Sequence, residues 1–239
     1  MSELAEAELL RVLAEGTLRI EGQLLDASNT TLYCCVSLDS RELRCVYKPV
    51  AGERPLWDFP DHTLSRREVA AYLVSAATGW DIVPPTVFRD GPFGPGACQL
   101  WIDVDPDVDL IELLQSDDPG LQRIAVFDAV VNNADRKGGH LLPTPGGHIY
   151  GVDHGVCFAV PDKLRTVLWQ WRGQPLPDEA VDTLQALACE LDGELGGELI
   201  DLLSPREVAA TRRRVRRLLA SRRFPEPSDR WPAIPWPPL

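Results

Sequence analysis

The segment "VVNNADRKGGHLL" (residues 130–142) carries an apolar run into Asn133, Asp135, Arg136 and His140. One short hairpin later, "IYGVDHGVCF" (residues 149–158) sets Asp153 between a β-like run and Gly155. Asn, Asp and Gly are turn formers, so the first segment alone reads equally well as a helix-ending loop with surface charges. Two acidic loops flanking one hairpin say more. One carboxylate able to take a proton and a second able to hold a metal ion are the core of a metal and nucleotide site.

Transfer of a phosphoryl group from a nucleotide needs further parts: a cation on the α/β-phosphates, a carboxylate to orient it, and a loop over the phosphates. Lys48, at the end of a strand in "VYKP", supplies the cation, and Glu68 in the following helix is its candidate partner. The turn "DASNTT" places Ser28, Asn29 and Thr30 where backbone amides and hydroxyls can meet phosphate. Asp135 is then the candidate base and Asp153 the candidate metal ligand, with His140 or Asn133 contributing. Lysine is scarce, with only Lys48, Lys137 and Lys163 among many arginines, so each lysine is informative. Plainer roles exist as well: a lysine protects an edge strand, and Glu68 with Arg66 and Arg67 makes an ordinary charged helix start. Asp128 falls on the apolar side of its helix, where a carboxylate needs a partner; Arg136 or backbone amides of the loop would serve. His148 and His154 read as solvated or structural.

The elements that must position these groups follow from periodicity. Residues 3–15 have helical spacing (Leu4, Leu9, Leu10, Leu13). Three β-rich runs follow, "TLRIEGQLL", "TLYCCVSL" and "ELRCVYKPV", separated by "DASNT" and "DSR", and predict an antiparallel meander. "TLSRREVAAYLVSAATGW" predicts a helix with Thr63 or Ser65 as N-cap, ending at Gly79. "IVPPTVFRD" and "GACQLWIDV" are again strand-like around the loop "DGPFGPG". Beyond Asp103 the pattern turns helical: "DVDLIELLQ", "PGLQRIAVFDAVVNN", then segments near 178–191 and 205–222, with a proline-rich tail over 225–239.

Composition narrows the classes. At 239 residues, 44% hydrophobic and 25% charged, the chain fits one domain or two small lobes with a real core. No run approaches the ~18 apolar residues of a membrane span, and the acidic N-terminal segment lacks a basic n-region, which leads us to expect a cytoplasmic protein. Six cysteines without metal-binding spacing read as buried small hydrophobes. A net charge of -12 argues against general nucleic-acid binding.

The order "YKP", "NxxDRxxxH", "xVDHG" resembles the kinase-like fold in its lipid-kinase and HipA-like branch, especially type II phosphatidylinositol 4-kinases. Over nearly its full length the chain resembles an uncharacterised actinobacterial family distantly related to phosphatidylinositol 3- and 4-kinases. The resemblance implies an α+β, two-lobed fold: an N-lobe of sheet and helices over 1–103, a mainly helical C-lobe over 104–224, and the tail over 225–239. It implies ATP with Mg2+ or Mn2+ in the cleft and a linker near Trp101 and Ile102 against the nucleotide. By position Lys48 matches the phosphate lysine, Glu68 its helix partner, Asp135 the catalytic aspartate and Asp153 the metal aspartate of D-x-G. His140 falls where those kinases carry an asparagine ligand; an imidazole is softer and bulkier than an amide oxygen and suits magnesium less well. The phosphate loop also departs, having no glycine-rich pattern.

The implied activity is ATP- and metal-dependent phosphotransfer, with a protein or small-molecule acceptor ahead of a lipid. Two alternatives stand beside it: a nucleotide-binding pseudokinase acting as scaffold or sensor, and a nucleotidyl transferase on the same fold. The basic stretch over 211–223 is either a solvated helix face or a docking site for an acidic partner, an anionic membrane surface or the protein's own acidic groups. Trp231 and Trp236, set between prolines, are expected to dock on the body or to bind a partner.

Overall fold

The computed structural model describes residues 3–24 and 29–239. Helix α1 (Glu3–Glu15) leads into strands β1 (Thr17–Gln23), β2 (Leu32–Leu38) and β3 (Arg41–Pro49). A single 3-10 turn (Val50–Gly52) and a loop reach α2 (Leu64–Thr78), after which β4 (Thr86–Gly91) and β5 (Gly94–Leu100) complete an antiparallel sheet of order β1-β2-β3-β5-β4. Strand alternation decides what faces where. Cys34, Val36, Cys45, Tyr47 and Cys98 turn to one side and make a small core with Val12 and Leu13 of α1. Period two then puts Lys48, the neighbour of Tyr47, on the opposite face.

The rest of the chain is α3 (Leu110–Gln115), α4 (Pro119–Val131), the hairpin β6 (Leu141–Pro143) and β7 (Ile149–Gly151), and helices α5 (Asp178–Asp192), α6 (Glu194–Leu202) and α7 (Pro205–Ser221). Helix α4 begins because Asp118 accepts hydrogen bonds from the Gly120 and Leu121 amides and Pro119 is preset for the first turn; it ends at left-handed Asn132. Its Val126, Phe127 and Val130 pack with Leu184 and Leu187 of α5, Val215 of α7 and, from α2, Ala70, Ala71 and Val74. Helix α2 therefore shares the core of the helical body. Arg67 on α2, 1% exposed, donates to Glu207 Oε1 at 2.6 Å and to the Cys157 carbonyl at 2.8 Å, fastening the same junction.

Several expectations change. The last strand stops at Leu100, before "WIDV", because the chain leaves the sheet to meet the β6 hairpin, where the Asp105 amide donates to the Pro143 carbonyl at 2.8 Å. The β4–β5 turn is tighter than "DGPFGPG", closing at the Gly91–Gly94 pair. Helix α6 is unsignalled, since Gly196 and Gly197 read as breakers; packing explains Gly196, where a Cβ would lie 2.1 Å from the Leu191 carbonyl oxygen. Five cysteines are buried and free as expected, but Cys189 is exposed. In the tail, Trp231 packs beside Trp57 with ring centroids 6.1 Å apart, while Trp236 is 86% exposed and does not dock.

The basic segment is drawn largely onto the protein's own acids. Arg212 and Arg216 pair with Asp192, and Arg214 and Arg217 with Asp162. Arg214 is buried, so this is not a uniformly solvated face. A capping box at Ser204 and Glu207 starts the helix. No helix among the described residues is long and apolar enough to cross a membrane.

Candidate active site

Lys48 emerges from β3 into the space between the sheet and the helical body. Its Nζ donates to Glu68 Oε1 at 2.5 Å and to Asp153 Oδ1 at 3.1 Å. Glu68 is held from its other oxygen, which accepts the His154 amide at 2.9 Å. One carboxylate thus grips both the lysine and the backbone beside Asp153. That backbone is unusual: Asp153 has φ 62°, a left-handed conformation that aspartate tolerates better than most residues. Burial works against the Lys48 charge, but Asp153 and Glu68 outweigh it and hold its pKa above the ordinary lysine value. Lys48 in turn pulls the Asp153 carboxyl well below the usual range. The pair is ionised at neutral pH.

The loop bearing Asp135 is built on a buried ion pair. Arg136 Nε donates to Asp128 Oδ2 at 2.9 Å and Nη2 to Oδ1 at 3.0 Å, with both side chains fully buried. The remaining guanidinium reach goes to the Val152 carbonyl at 2.9 Å and to His154 Nε2 at 2.7 Å, lashing this loop to the one carrying Asp153. Asp128 and His154 have the structural roles the sequence suggests. Asn133 differs from expectation. Its Nδ2 donates to Asp128 and its Oδ1 accepts the Asp135 amide at 2.9 Å, so the side chain is fully buried and spent on shaping the loop instead of facing a metal. Burial raises the pKa of Asp135, against the opposing pull of Lys137 with its Nζ 3.3 Å away.

His140 Nε2 lies 3.4 Å from Asp153 Oδ2. Burial lowers its pKa to about 4, so the ring is neutral at pH 7 and can offer a lone pair. Its buried Nδ1 has no hydrogen-bond partner among the described residues. Among the described residues no three His, Cys, Asp or Glu side chains converge as a ready-made metal nest. Asp153 and a neutral His140 offer a divalent cation one carboxylate oxygen and one imidazole nitrogen, leaving its other positions to phosphate oxygens and water; the nitrogen suits Mg2+ less well than an oxygen would.

A cavity of about 350 Å³ opens beside these groups. Lys48, Glu68, Asp135 and Asp153 line it together with Asn29 and Thr30. Ser28 lies outside the described residues. Trp101 and Ile102 are not in this lining; Trp101 sits just past β5, its ring edge on Tyr33 at 4.9 Å and its amide donating to the Arg44 carbonyl at 3.0 Å. The far wall comes from residues the sequence does not single out. Glu53 caps α2, accepting from the amides of Leu64 and Ser65 and from the Ser65 hydroxyl, which also donates to the Lys48 carbonyl. Trp57, Asp58, Lys163 and Arg165 complete it, with Lys163 paired to Asp58. The rarity of lysine is the one signal that marks Lys163 in the sequence.

No protein-family model matches the chain. It is 44% identical over 261 residues to "Protein Rv2133c" of Mycobacterium tuberculosis, a match covering 95% of this chain and 94% of that protein. Among solved structures it is similar to a golgi casein kinase at TM-score 0.57 and 14% identity, covering 92% of this chain and 75% of that one. The same kinase with Mn/ADP bound gives TM-score 0.60 at 13% identity, covering 92% and 76%. A Helicobacter pylori proinflammatory kinase, CtkA, gives TM-score 0.50 at 11% identity, covering 89% and 94%. At these identities the likeness is one of fold: the chain has an α+β, two-lobed, kinase-like architecture.

Proposed function

The chain belongs to the family of protein Rv2133c of Mycobacterium tuberculosis, and from that premise we propose that it is an ATP- and metal-dependent phosphotransferase of the atypical kinase group. The observation that carries this reading is the Lys48, Glu68, Asp153 chain of contacts across the cleft, with Asp135 held on the adjoining loop. A kinase-like fold can be shared without its chemistry. A charge-paired lysine joining sheet and helical body, beside a half-exposed aspartate in a left-handed turn, is harder to explain without a phosphate ligand.

In this reading the Lys48 ammonium binds the α/β-phosphates and Glu68 fixes its direction. Asn29 and Thr30 cover the phosphates, and the base extends past the cavity toward Trp101 and Ile102 at the linker. Asp153 and His140 would hold a divalent cation, which would supply positive charge against the transferred group. Asp135 orients the acceptor hydroxyl and takes its proton, a task helped by a carboxyl whose pKa burial has raised. Asn133 keeps Asp135 in place. We assign the lobes to 1–103 and 104–224 with the tail at 225–239. The motif order favours the lipid-kinase and HipA-like branch, and the acceptor is a protein or small molecule before a lipid.

Thermal-shift titration with ATP and Mg2+ or Mn2+ tests this directly. Wild type is expected to be stabilised, Lys48→Ala and Asp153→Ala to lose the response, and Asp135→Asn to keep it while losing label transfer from γ-labelled ATP. No response from a folded wild type would sink the reading. Binding without transfer of any label would make the protein a nucleotide-dependent scaffold, and transfer from α-labelled ATP a nucleotidyl transferase.

A further inference from the structure

The tail is a bent peptide, turning at 229–231 and again at 233–234, and it lies at the edge of the cavity. Four donors reach it: the Thr166 amide at 3.0 Å and Trp169 Nε1 at 2.9 Å share the Ala233 carbonyl, and Arg165 donates to the carbonyls of Pro232 at 3.1 Å and Ile234 at 3.5 Å. Trp231 lies beside Trp57, and the Lys163 ammonium sits over both rings, 4.6 Å from the Trp231 centroid and 5.4 Å from that of Trp57. Further along, the Pro238 carbonyl accepts the Gly138 amide at 2.8 Å, three residues beyond Asp135. Donors aimed at three successive carbonyls, with an ammonium over the tryptophan ring, hold the peptide backbone and one large side chain at once.

The groove these donors form borders the catalytic loop. Residues 165–167 bond the loop on one side, through the Arg165 amide to Asn133, the Arg136 amide to Arg165 and the Val167 amide to Arg136, while Thr166 bonds the tail on the other. Trp57, Lys163 and Arg165 line both the groove and the cavity that contains Asp135. Whatever occupies the groove therefore lies against the acceptor side.

We propose that this groove is a recognition site for a bent polypeptide segment carrying a tryptophan followed by proline, that residues 231–234 are its resident ligand in cis, and that a protein segment of the same make-up displaces them to reach Asp135. This rests on the phosphotransferase reading only for its last step; the groove and its ligand stand on the contacts alone. It makes the acceptor or its docking segment a polypeptide.

A labelled peptide of residues 228–239, titrated by fluorescence anisotropy into the full chain without nucleotide, tests it. The tethered tail competes at about millimolar effective concentration, so wild type is expected to bind the peptide on the order of a hundredfold more weakly than the Trp231→Ala chain. Trp231→Phe, which keeps a ring, should behave like wild type, and adding Arg165→Gln to Trp231→Ala should weaken binding again. A peptide that binds neither chain, or both equally, overturns the proposal. Amide exchange covers the case of a misfolded variant: in wild type the Thr166 and Gly138 amides should be protected, and rapid exchange at both would also overturn it. ADP and Mg2+ thermal shifts on the same proteins read the nucleotide site separately, so failure of one reading leaves the other visible.

Discussion

At the scale of single residues the site is organised by charges that cannot be left alone. Asp128 and Arg136 are both fully buried and joined by two hydrogen bonds. Removing one partner strands the other's charge out of water, so Asp128→Ala should cost about 3–5 kcal/mol in denaturant unfolding. Replacing both by apolar residues should cost far less stability yet still loosen Asp135, because Asn133 also rests on Asp128. A stable Asp128→Ala chain would remove this account of the loop. The sequence flagged Asp128 because a carboxylate on the apolar side of a helix demands a partner, and it left Arg136 and the loop amides as the two choices. It misassigned Asn133, since an asparagine beside a catalytic aspartate serves a metal or a backbone equally well and only the fold decides.

At the scale of elements, close approach governs the phosphate side. A Cβ on Gly52 would lie 2.4 Å from Thr30 Cβ, and the Thr30 amide donates to the Gly52 carbonyl at 3.1 Å. Gly52→Ala must push Thr30 away, which should cost about 1–3 kcal/mol and weaken ATP binding in calorimetry. Gly22→Ala, with nothing among the described residues within 4 Å of the added carbon, is the control that should do neither. Elements with strong boundary signals were legible in the sequence, α4 through Pro119 and α2 through Gly79. Helix α6 was not, because its paired glycines serve packing against α5. The loop carrying Glu53, Trp57 and Asp58 has no period to read, and the Asp58 partner of Lys163 lies 105 residues away in sequence.

At the scale of the whole molecule, Glu207 fastens the start of α7 to Arg67 of α2 inside the helical body. Burial raises its carboxyl pKa, but Arg67 and Ser204 outweigh this and hold it below the usual 4.5. A depressed carboxyl pKa stabilises the fold above the unfolded value and loses that contribution as pH falls through the folded one. Acid unfolding should therefore steepen below pH 4.5, and Glu207→Gln should flatten that limb while costing about 3 kcal/mol at neutral pH by isolating Arg67. An unchanged acid limb would show that Arg67 finds another counter-charge. The division of the interior has a wider consequence. Lys48 belongs to a sheet with its own small core, whereas Glu68 and Asp153 belong to the helical body. The sheet and body meet where α2 packs on β4 and β5, and the Lys48 ammonium adds a charged rivet to that junction. In the empty protein, amide exchange should release the strands before the helices. A ligand gripping both sides of the rivet should merge the two steps into one.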